Sequence, residues 1–185
     1  AHTRREPFSV EEPLPLEKVL TPECSTIAQL AQFMDIPPQK TAKALMFTRL
    51  QDGAFIFVVI RGDMQMSEAK LRACLGDFRL ASPEEIRASG AVAGYASPVG
   101  LKDAVIIVDE LVARSANLVA GANEYGYHLK NTNYPRDYLA WQVADLTQAL
   151  PGESCPDCAG VLEAARGRSI FENNQFLHQN ILLSL

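Results

Sequence analysis

The chain has 185 residues, of which 48% are hydrophobic and 21% are charged, as in an ordinary folded domain. No apolar run is long enough for a membrane helix, and the first residues lack the apolar centre of a signal peptide. We therefore expect a cytoplasmic protein with no membrane partner. The formal net charge of −5 argues against a broad basic surface for long nucleic acid, but it allows a short nucleic-acid end to bind.

The N-terminal part of the chain changes character after about twenty residues. Residues 1–20 are rich in proline and glutamate and have no sustained apolar period, which predicts an extended N-terminal arm. The remaining residues, 21–185, are predicted to form one domain. Its first element is predicted to be a helix that Ser25 or Thr26 caps, because apolar residues recur at helical spacing over 27–34.

Strands and short helices are predicted to alternate after this helix. The apolar runs 44–49 and 54–61 flank Asp52-Gly53, and this arrangement is a strong hairpin signal. Ser67 and Ser82 each precede a short helical pattern and can cap it. The sheet is predicted to resume with three later strands, at residues 105–108, 127–134 and 141–146.

The motif GANEYGYH at residues 121–128 is the best single clue to function. It combines a turn of small residues with His128, and it follows the buried-strand pattern VIIVDE at 105–110, which ends on the carboxylate of Asp109. A carboxylate at a strand end and an imidazole on a turn can share a cleft. A single histidine is nonetheless more often a packing or surface residue than a catalytic one, so the context decides.

Two of the four cysteines, Cys155 and Cys158, form a C-P-D-C motif. The motif is half of a typical zinc site, but the chain has no second C-x-x-C pair, and His178 is the only histidine downstream of it. The alternative interpretation is a reduced surface loop. We assign no metal and no cofactor to the chain, and metal binding by these two cysteines stays an open alternative.

Seven blocks of sequence, taken in order, carry a resemblance to a known family: PLEKVLTPECSTIAQLAQFM (15–34), KTAKALMF (40–47), RGDMQMSEAKL (61–71), VIIVDE (105–110), GANEYGYH (121–128), NTNYPRD (131–137) and GESCPDCAGVL (152–162). They resemble the insertion (editing) domain of bacterial-type prolyl-tRNA synthetases and its free-standing relatives, the YbaK/EbsC-type aminoacyl-tRNA deacylases. The resemblance covers roughly residues 15–165, and the order and spacing of the blocks make it more specific than one motif.

This resemblance implies an α/β (α+β) fold, with a curved, mixed and partly barrel-like β-sheet flanked by helices and a pocket at its open side. It also implies hydrolysis of the ester between a wrong amino acid, typically alanine or cysteine, and the terminal adenosine of a tRNA for proline. A synthetase site built for proline rejects smaller side chains poorly, because a missing methylene is worth only about 1–3 kcal/mol. The implied partner is a tRNA acceptor end that carries a small amino acid, with prolyl-tRNA synthetase as a further candidate.

The resemblance implies three catalytic candidates, Lys43, His128 and Asp109. Lys43 matches the family lysine that engages the terminal adenosine and phosphate region of the substrate. His128 matches the histidine at the end of the GAN block, and Asp109 matches the acidic residue at the end of the preceding strand. The alternative roles are a solvated lysine at a strand start for Lys43 and a cap of the following segment for Asp109.

The substrate-binding candidates lie in two loops of small residues. Gly121 and Ala122 would bring backbone amides close to the ester carbonyl, or they would simply form a tight turn. Asn123 is favoured in a structural role, in a left-handed conformation or bonded within its loop. Ser97 and Pro98 belong to the second loop. Arginine and aspartate residues of the blocks are expected to hold turns together rather than touch substrate; these are Arg61, Asp63, Arg136 and Asp137.

The chain departs from the family pattern in three places. Met64 and Ser67 stand where synthetase insertion domains typically have histidine and asparagine, and Ala96 and Ser97 stand where the family usually has a glycine. A bulkier wall at this second place would reshape the amino-acid pocket and puts a preference for alanine in doubt. Beyond Gly167 the closing block of the family is replaced by another sequence.

Direct attack by water is the simplest mechanism, because the chain lacks a motif for a covalent nucleophile. Lys43 and the loop amides would hold the adenosine and the carbonyl, while His128 would orient substrate or water. Two alternatives stay open: a binding module of the same fold that holds a tRNA end without hydrolysis, which the departures favour slightly, and one domain of a whole synthetase. The sequence does not determine the oligomeric state.

Overall fold

The computed structural model describes residues 11–155, 158–166 and 181–184. These residues fall into two compact units, a larger one that ends at Thr147 and a smaller one that begins at Gln148. The prediction of one domain over residues 21–185 stays a prediction. No helix within the described ranges combines the length and the apolar composition that a membrane crossing requires.

The elements of the larger unit alternate between strands and short helices. In chain order they are β1 (Glu17–Leu20), α1 (Ile27–Met34), a 3-10 helix (Pro38–Lys40), β2 (Ala42–Arg49), β3 (Phe55–Arg61), α2 (Glu68–Leu75), β4 (Phe78–Leu80), α3 (Pro83–Ala88), β5 (Val105–Asp109), α4 (Glu110–Ala113), β6 (Leu118–Gly121), β7 (Tyr127–Thr132) and β8 (Gln142–Ala144). In the smaller unit, β9 (Glu163–Arg166) pairs antiparallel with β10 (Ile181–Ser184).

The main sheet has five strands in the order β4-β2-β3-β5-β8. It is mixed, because β2 is antiparallel to both β3 and β4, whereas β5 is parallel to both β3 and β8. The central strand β3 is buried on both faces, which explains its nearly continuous apolar sequence. Val58 lies in the cluster that contains Leu71 of α2 on one face, and Val59 lies in the cluster that contains Val112 of α4 on the other.

A second sheet of three antiparallel strands, in the order β1-β7-β6, carries the histidine of interest. His128 lies in its middle strand, opposite Val19 of β1 on one side and Gly121 of β6 on the other. A parallel bridge between Thr41 and Val119 joins the two sheets. The α/β fold with a mixed sheet and flanking helices is confirmed, although the described strands meet at this bridge without closing a barrel.

The local signals of the sequence are confirmed where they are strongest. The hairpin around Asp52-Gly53 forms between β2 and β3, and Ser67 and Ser82 cap α2 and α3. Of the two candidate caps of α1, Thr26 is the one used: its side chain accepts a hydrogen bond from the Gln29 amide, and the Gln29 side chain accepts one from the Thr26 amide.

Short elements with weak local signals were not predicted. Strand β1 lies in the segment that the sequence assigned to the arm, and β4 and β6 have only three and four residues. Such short segments do not show a clear apolar period, and pairing with distant strands decides their conformation.

The cap of α1 can be tested by two neighbouring substitutions. Thr26→Ala removes the capping oxygen and is expected to lower the free energy of unfolding by about 1 kcal/mol, whereas Ser25→Ala should change it by much less. Urea denaturation followed by circular dichroism measures both values. Equal losses in the two variants would contradict the assignment of Thr26 as the cap.

Candidate active site

A pocket of about 380 Å³ lies where α1, β2, β6 and β7 meet the loop before residue 97. This volume is in the range of small-molecule sites. Its walls are mostly small or apolar, and two ionisable side chains, those of Lys43 and His128, line it from different strands. The lining residues are Ser25, Thr26, Ile27, Leu30, Ala42, Lys43, Ala44, Met46, Gly94, Ala96, Gly121 and His128.

The imidazole of His128 is buried, with 4% of the residue exposed. Its Nδ1 atom lies 2.6 Å from the hydroxyl oxygen of Thr21, and its ring centroid lies 5.3 Å from that of Tyr95. Burial lowers the pKa of His128 from 6.5 to about 4, because the charged imidazolium would lose its hydration. The ring is therefore neutral near pH 7.

Thr21 is a site residue that the sequence did not single out. It is completely buried, its amide donates to the carbonyl of Gly126 at 2.7 Å, and its hydroxyl is in reach of both that carbonyl and His128. The hydroxyl has a single hydrogen to donate, so its choice of partner determines which imidazole nitrogen carries the proton. A threonine has no ionisable group to attract attention, and it is 107 positions from its partner.

Lys43 is the second residue of β2 and lies at the start of the hairpin. Its Nζ atom donates to the backbone carbonyl of Met64 at 2.8 Å. Burial lowers the pKa of the lysine, and the Asp63 carboxylate nearby raises it in part. Asp63 is itself held by Arg61, with N–O distances of 2.6 and 2.8 Å. Because Met64 contributes its backbone to this bond, the departure from histidine at position 64 leaves the bond intact.

Asp109 lies away from the lining residues of the pocket. It is 2% exposed, and its two carboxylate oxygens accept hydrogen bonds from the amides of Leu111 and Leu146, each at 2.9 Å. The first bond caps α4, and the second ties the end of β5 to the segment after β8. The structure thus does not bring Asp109 and His128 into one cleft, and it gives Asp109 the contacts of a helix cap.

Asn123 joins the two small-residue loops. It adopts a left-handed conformation with φ of 52°, which asparagine tolerates better than most residues. Its amide donates to the carbonyl of Tyr95 at 2.8 Å, and its side chain accepts from the Ser97 amide at 2.9 Å and donates to the carbonyls of Ser97 and Val99. These bonds support the structural role that the sequence analysis favoured.

The remaining loop candidates also lie outside the pocket lining. Ser97 and Pro98 are buried, and the Ser97 hydroxyl accepts a hydrogen bond from the Val99 amide at 3.2 Å. Ala122 is half-buried next to Gly121. Of the two departures in this loop, Ala96 therefore contributes to the pocket wall, whereas the Ser97 side chain bonds within its own loop.

Gly121 is required by a close approach between two backbones. A Cβ atom on this residue would lie 2.1 Å from the carbonyl carbon and oxygen of Tyr95 and 2.5 Å from the oxygen of Ala96. The sequence predicted a close approach of Gly121 to the substrate; the approach that the structure shows is to the neighbouring loop. Gly121 lines the pocket from the end of β6, beside His128.

The C-P-D-C motif lies in the smaller unit. The Cys155 amide donates to the carbonyl of Gly160 at 2.8 Å, and the side chain of Cys158 is exposed. In the part of the chain that the structure describes, no group of three or more potential ligand side chains is arranged to hold a metal ion. The two cysteines alone are half of a tetrahedral zinc site.

Comparison with known proteins connects this geometry to a family. Residues 21–136 match the family described as the aminoacyl-tRNA editing domain. The proline–tRNA ligase of Dehalococcoides mccartyi is 42% identical over 174 residues, which are 91% of this chain and 30% of the ligase. The proline–tRNA ligase of Salinispora tropica is 42% identical over 161 residues, which are 82% of this chain and 27% of the ligase. The chain thus spans less than a third of these ligases.

A solved structure described as "a putative trans-editing enzyme for prolyl tRNA synthetase" has the same fold. It is 25% identical in sequence and superposes with a TM-score of 0.62, which covers 72% of this chain and 87% of the other.

The backbone contact at Gly121 gives a sharp stability test. Gly121→Ala places a methyl group against two carbonyls and is expected to lower the free energy of unfolding by more than about 3 kcal/mol. Gly53→Ala is the control, because its φ of 73° costs conformational energy but its Cβ would meet nothing within 4 Å. This control should lose about 1–2 kcal/mol. A Gly121→Ala variant as stable as the control would refute the close contact.

The buried neutral imidazole predicts a pH dependence of stability. In the unfolded chain His128 gains a proton near pH 6.5, whereas in the folded protein it does so only near pH 4. Because the unfolded state binds more protons between these values, the free energy of unfolding falls as the pH is lowered from 7 to 4. Denaturation at pH 7 and pH 5 should show a smaller loss in His128→Gln than in the unchanged protein. An equal loss would mean that His128 titrates normally.

Proposed function

Because the chain belongs to the aminoacyl-tRNA editing domain family, we propose that it hydrolyses the ester bond of a mischarged aminoacyl-tRNA. The family membership confirms the resemblance found in the sequence. The observation that carries the proposal is the pocket of about 380 Å³ in which Lys43 and His128 face the same space from two sheets. A cation and a neutral imidazole in one pocket suit a substrate that combines phosphate groups with a reactive ester.

The proposed substrate is a tRNA for proline that carries a small amino acid such as alanine or cysteine. Its support is the similarity to proline–tRNA ligases and to the structure described as a trans-editing enzyme for prolyl tRNA synthetase. Side chains on the pocket wall are short at Ala42, Ala44, Gly94 and Ala96. A pocket of this kind selects by size, and a second site of this type complements a synthetase that rejects smaller amino acids poorly.

Lys43 is proposed to hold the phosphate and adenosine end of the substrate. An ammonium group has three N–H donors, and one of them bonds to the carbonyl of Met64. The other two can reach a ligand in the pocket. The bond to Met64 fixes the position of the charge before the substrate arrives, which lowers the entropy lost on binding.

His128 is proposed to orient the attacking water or the substrate rather than to remove a proton as a strong base. A group with a pKa of about 4 has little driving force to accept a proton at pH 7. The water oxygen attacks the ester carbonyl, the bond between the carbonyl carbon and the ribose oxygen breaks, and a proton from the water goes to the leaving ribose oxygen, which becomes a free hydroxyl. The neighbouring free ribose hydroxyl of the substrate can relay that proton.

Four candidate residues outside the pocket lining are proposed to hold the backbone around the pocket in place. They are Asp109, Asn123, Ser97 and Pro98. The carboxylate of Asp109 holds two backbone amides, and Asn123 holds the loop that contains Ser97. Their substitution would act through the shape of the pocket wall. The proposed partner is the tRNA acceptor end, delivered with or without prolyl-tRNA synthetase, and the cytoplasmic location stays a prediction.

Deacylation assays on alanyl, cysteinyl and seryl esters of proline tRNA test the proposal. The unchanged protein should accelerate hydrolysis of at least one ester, and Lys43→Ala and His128→Ala should each reduce the rate by about 10²-fold. Lys102→Ala, which removes an exposed lysine, is the control and should keep the full rate.

Two outcomes would contradict parts of this proposal. Full activity of both pocket variants would contradict the assignment of Lys43 and His128 to the reaction, and the reaction would then take place elsewhere in the molecule. Slower hydrolysis with the protein than without it would identify a module that binds and protects the tRNA end, which is the alternative left open by the sequence.

A further inference from the structure

Residues 11–16 are held to the rest of the larger unit by polar side chains; Lys40 pairs with the Glu11 carboxylate, and three more distant residues bond mainly to the backbone of the segment. Asn117 precedes β6, Asn131 lies in β7 and Arg136 follows it; we call these three residues the clasp. All of residues 11–16 are exposed, and Leu14 and Leu16 are 51% and 40% exposed. Burial of apolar surface therefore contributes little to holding this segment, and the hydrogen bonds of the clasp take that role.

Asn117 makes three hydrogen bonds to the segment. Its Oδ1 atom accepts from the Leu14 amide at 2.8 Å, and its Nδ2 group donates to the carbonyl of Glu12 at 2.9 Å and to the Glu11 carboxylate at 3.0 Å. The residue is 7% exposed and adopts a φ of 57°, and Asn133 donates to the same Oδ1 atom at 3.1 Å. Asn133 thus holds Asn117 from outside the segment, through the side chain and the backbone amide of Asn117.

Arg136 and Asn131 complete the clasp. Arg136 donates to the carbonyl of Leu14 at 2.7 Å and to the carbonyl of Asn131 at 2.8 Å, while Asp137 holds the same guanidinium through two further bonds. The Asn131 side chain donates to the carbonyl of Pro15 at 2.9 Å. Three different groups on one guanidinium require the planar fork of arginine, which lysine cannot reproduce.

The clasped segment continues directly into β1, whose side chains contribute little apolar burial to its register. The side chains of β1 form exposed ion pairs, Lys18 with Glu124 and Glu17 with Lys130, and pairs of this kind contribute little free energy. Three of the four residues of β1 are exposed and Val19 alone is half-buried, so a shift along β7 would cost little apolar burial. A shift by one residue turns every side chain of a strand to the opposite face. It would also move Thr21, the residue after β1, away from the His128 nitrogen that its hydroxyl meets at 2.6 Å.

We propose that Asn117 and Arg136 are positioning residues, which set the register of β1 and thereby place the hydroxyl of Thr21 on the imidazole of His128. Neither residue lines the pocket, and both act through the backbone of residues 12–21. As far as it concerns deacylation, the inference rests on the proposed function; the placement of Thr21 and His128 does not depend on it.

Two conservative variants test this inference in the whole chain. Asn117→Asp keeps the acceptor for the Leu14 amide, but it replaces the donor to Glu11 and Glu12 by a carboxylate oxygen that repels them. Arg136→Lys keeps the positive charge but loses the planar guanidinium, whose several N–H groups bond to different partners at the same time. Arg87→Lys is the matched control, because Arg87 is an exposed arginine on α3 that pairs with Glu84.

Two measurements distinguish a positioning role from a merely structural one: the hydrogen-exchange rates of backbone amides and the titration of the His128 ring in NMR spectra. A merely structural role would not change both. In both test variants the amides of Leu14 and Thr21 should exchange at least about tenfold faster than in the unchanged protein and the control. The ring signals of His128, assigned by comparison with His128→Gln, should show a pKa raised from about 4 toward 6.5 as the ring loses Thr21 and gains water. With an active protein, kcat should fall about tenfold while KM changes less than about twofold.

The outcomes separate this inference from the proposed function. If exchange at Leu14 rises while exchange at Thr21 and the His128 pKa stay unchanged, the clasp holds the arm without positioning the site, and the inference is wrong. Unchanged exchange at Leu14 would also overturn it. A chain without deacylase activity would refute the proposed function, yet the exchange and titration results would still decide the role of Asn117 and Arg136.

Discussion

The pocket depends on the direct contact between the backbone of Gly121 and the backbone of the Tyr95–Ala96 segment. This contact is possible because Gly121 has no Cβ atom, and Asn123 reinforces it with hydrogen bonds to the same loop. It brings the loop with Gly94 and Ala96 next to the strands that carry Gly121 and His128, and this loop forms one wall of the pocket. This wall bounds the space that the side chains of Lys43 and His128 line.

Most polar residues in the recognisable motifs support the scaffold, and few of them face the pocket. Asp109 caps a helix, Asn123 joins two loops, and Arg136 holds the segment before β1. Lys43 and His128 are the ionisable side chains on the described pocket wall. A motif can therefore mark a family reliably while most of its charged and amide groups satisfy buried backbone atoms, because leaving such atoms without partners is costly.

The environment of His128 limits the chemistry that the proposed reaction can use. A buried imidazole with a pKa of about 4 is neutral at physiological pH, and the hydroxyl of Thr21 orients it. Such a group serves hydrogen bonding and positioning better than proton removal. This agrees with hydrolysis of an activated ester, in which the water needs a defined position more than a strong base. The side chains that depart from the family pattern at Met64 and Ser97 take no part in the bond of Lys43 or in the pocket lining, since Lys43 bonds to the Met64 backbone and Ser97 bonds within its own loop.

Local residue patterns were sufficient to predict the features that depend on neighbouring residues. The hairpin at Asp52-Gly53 and the caps at Ser67 and Ser82 are local, because turn conformation and the first turn of a helix involve few residues. The ordered sequence blocks also identified the family, and the resemblance named both Lys43 and His128 as candidate site residues. Three other features became evident only in the folded chain: the partner of His128, the scaffold role of Asp109 and the need for a glycine at position 121. Each depends on atoms far apart in the chain, such as Thr21, which is 107 positions from His128, and no local pattern records such a pairing.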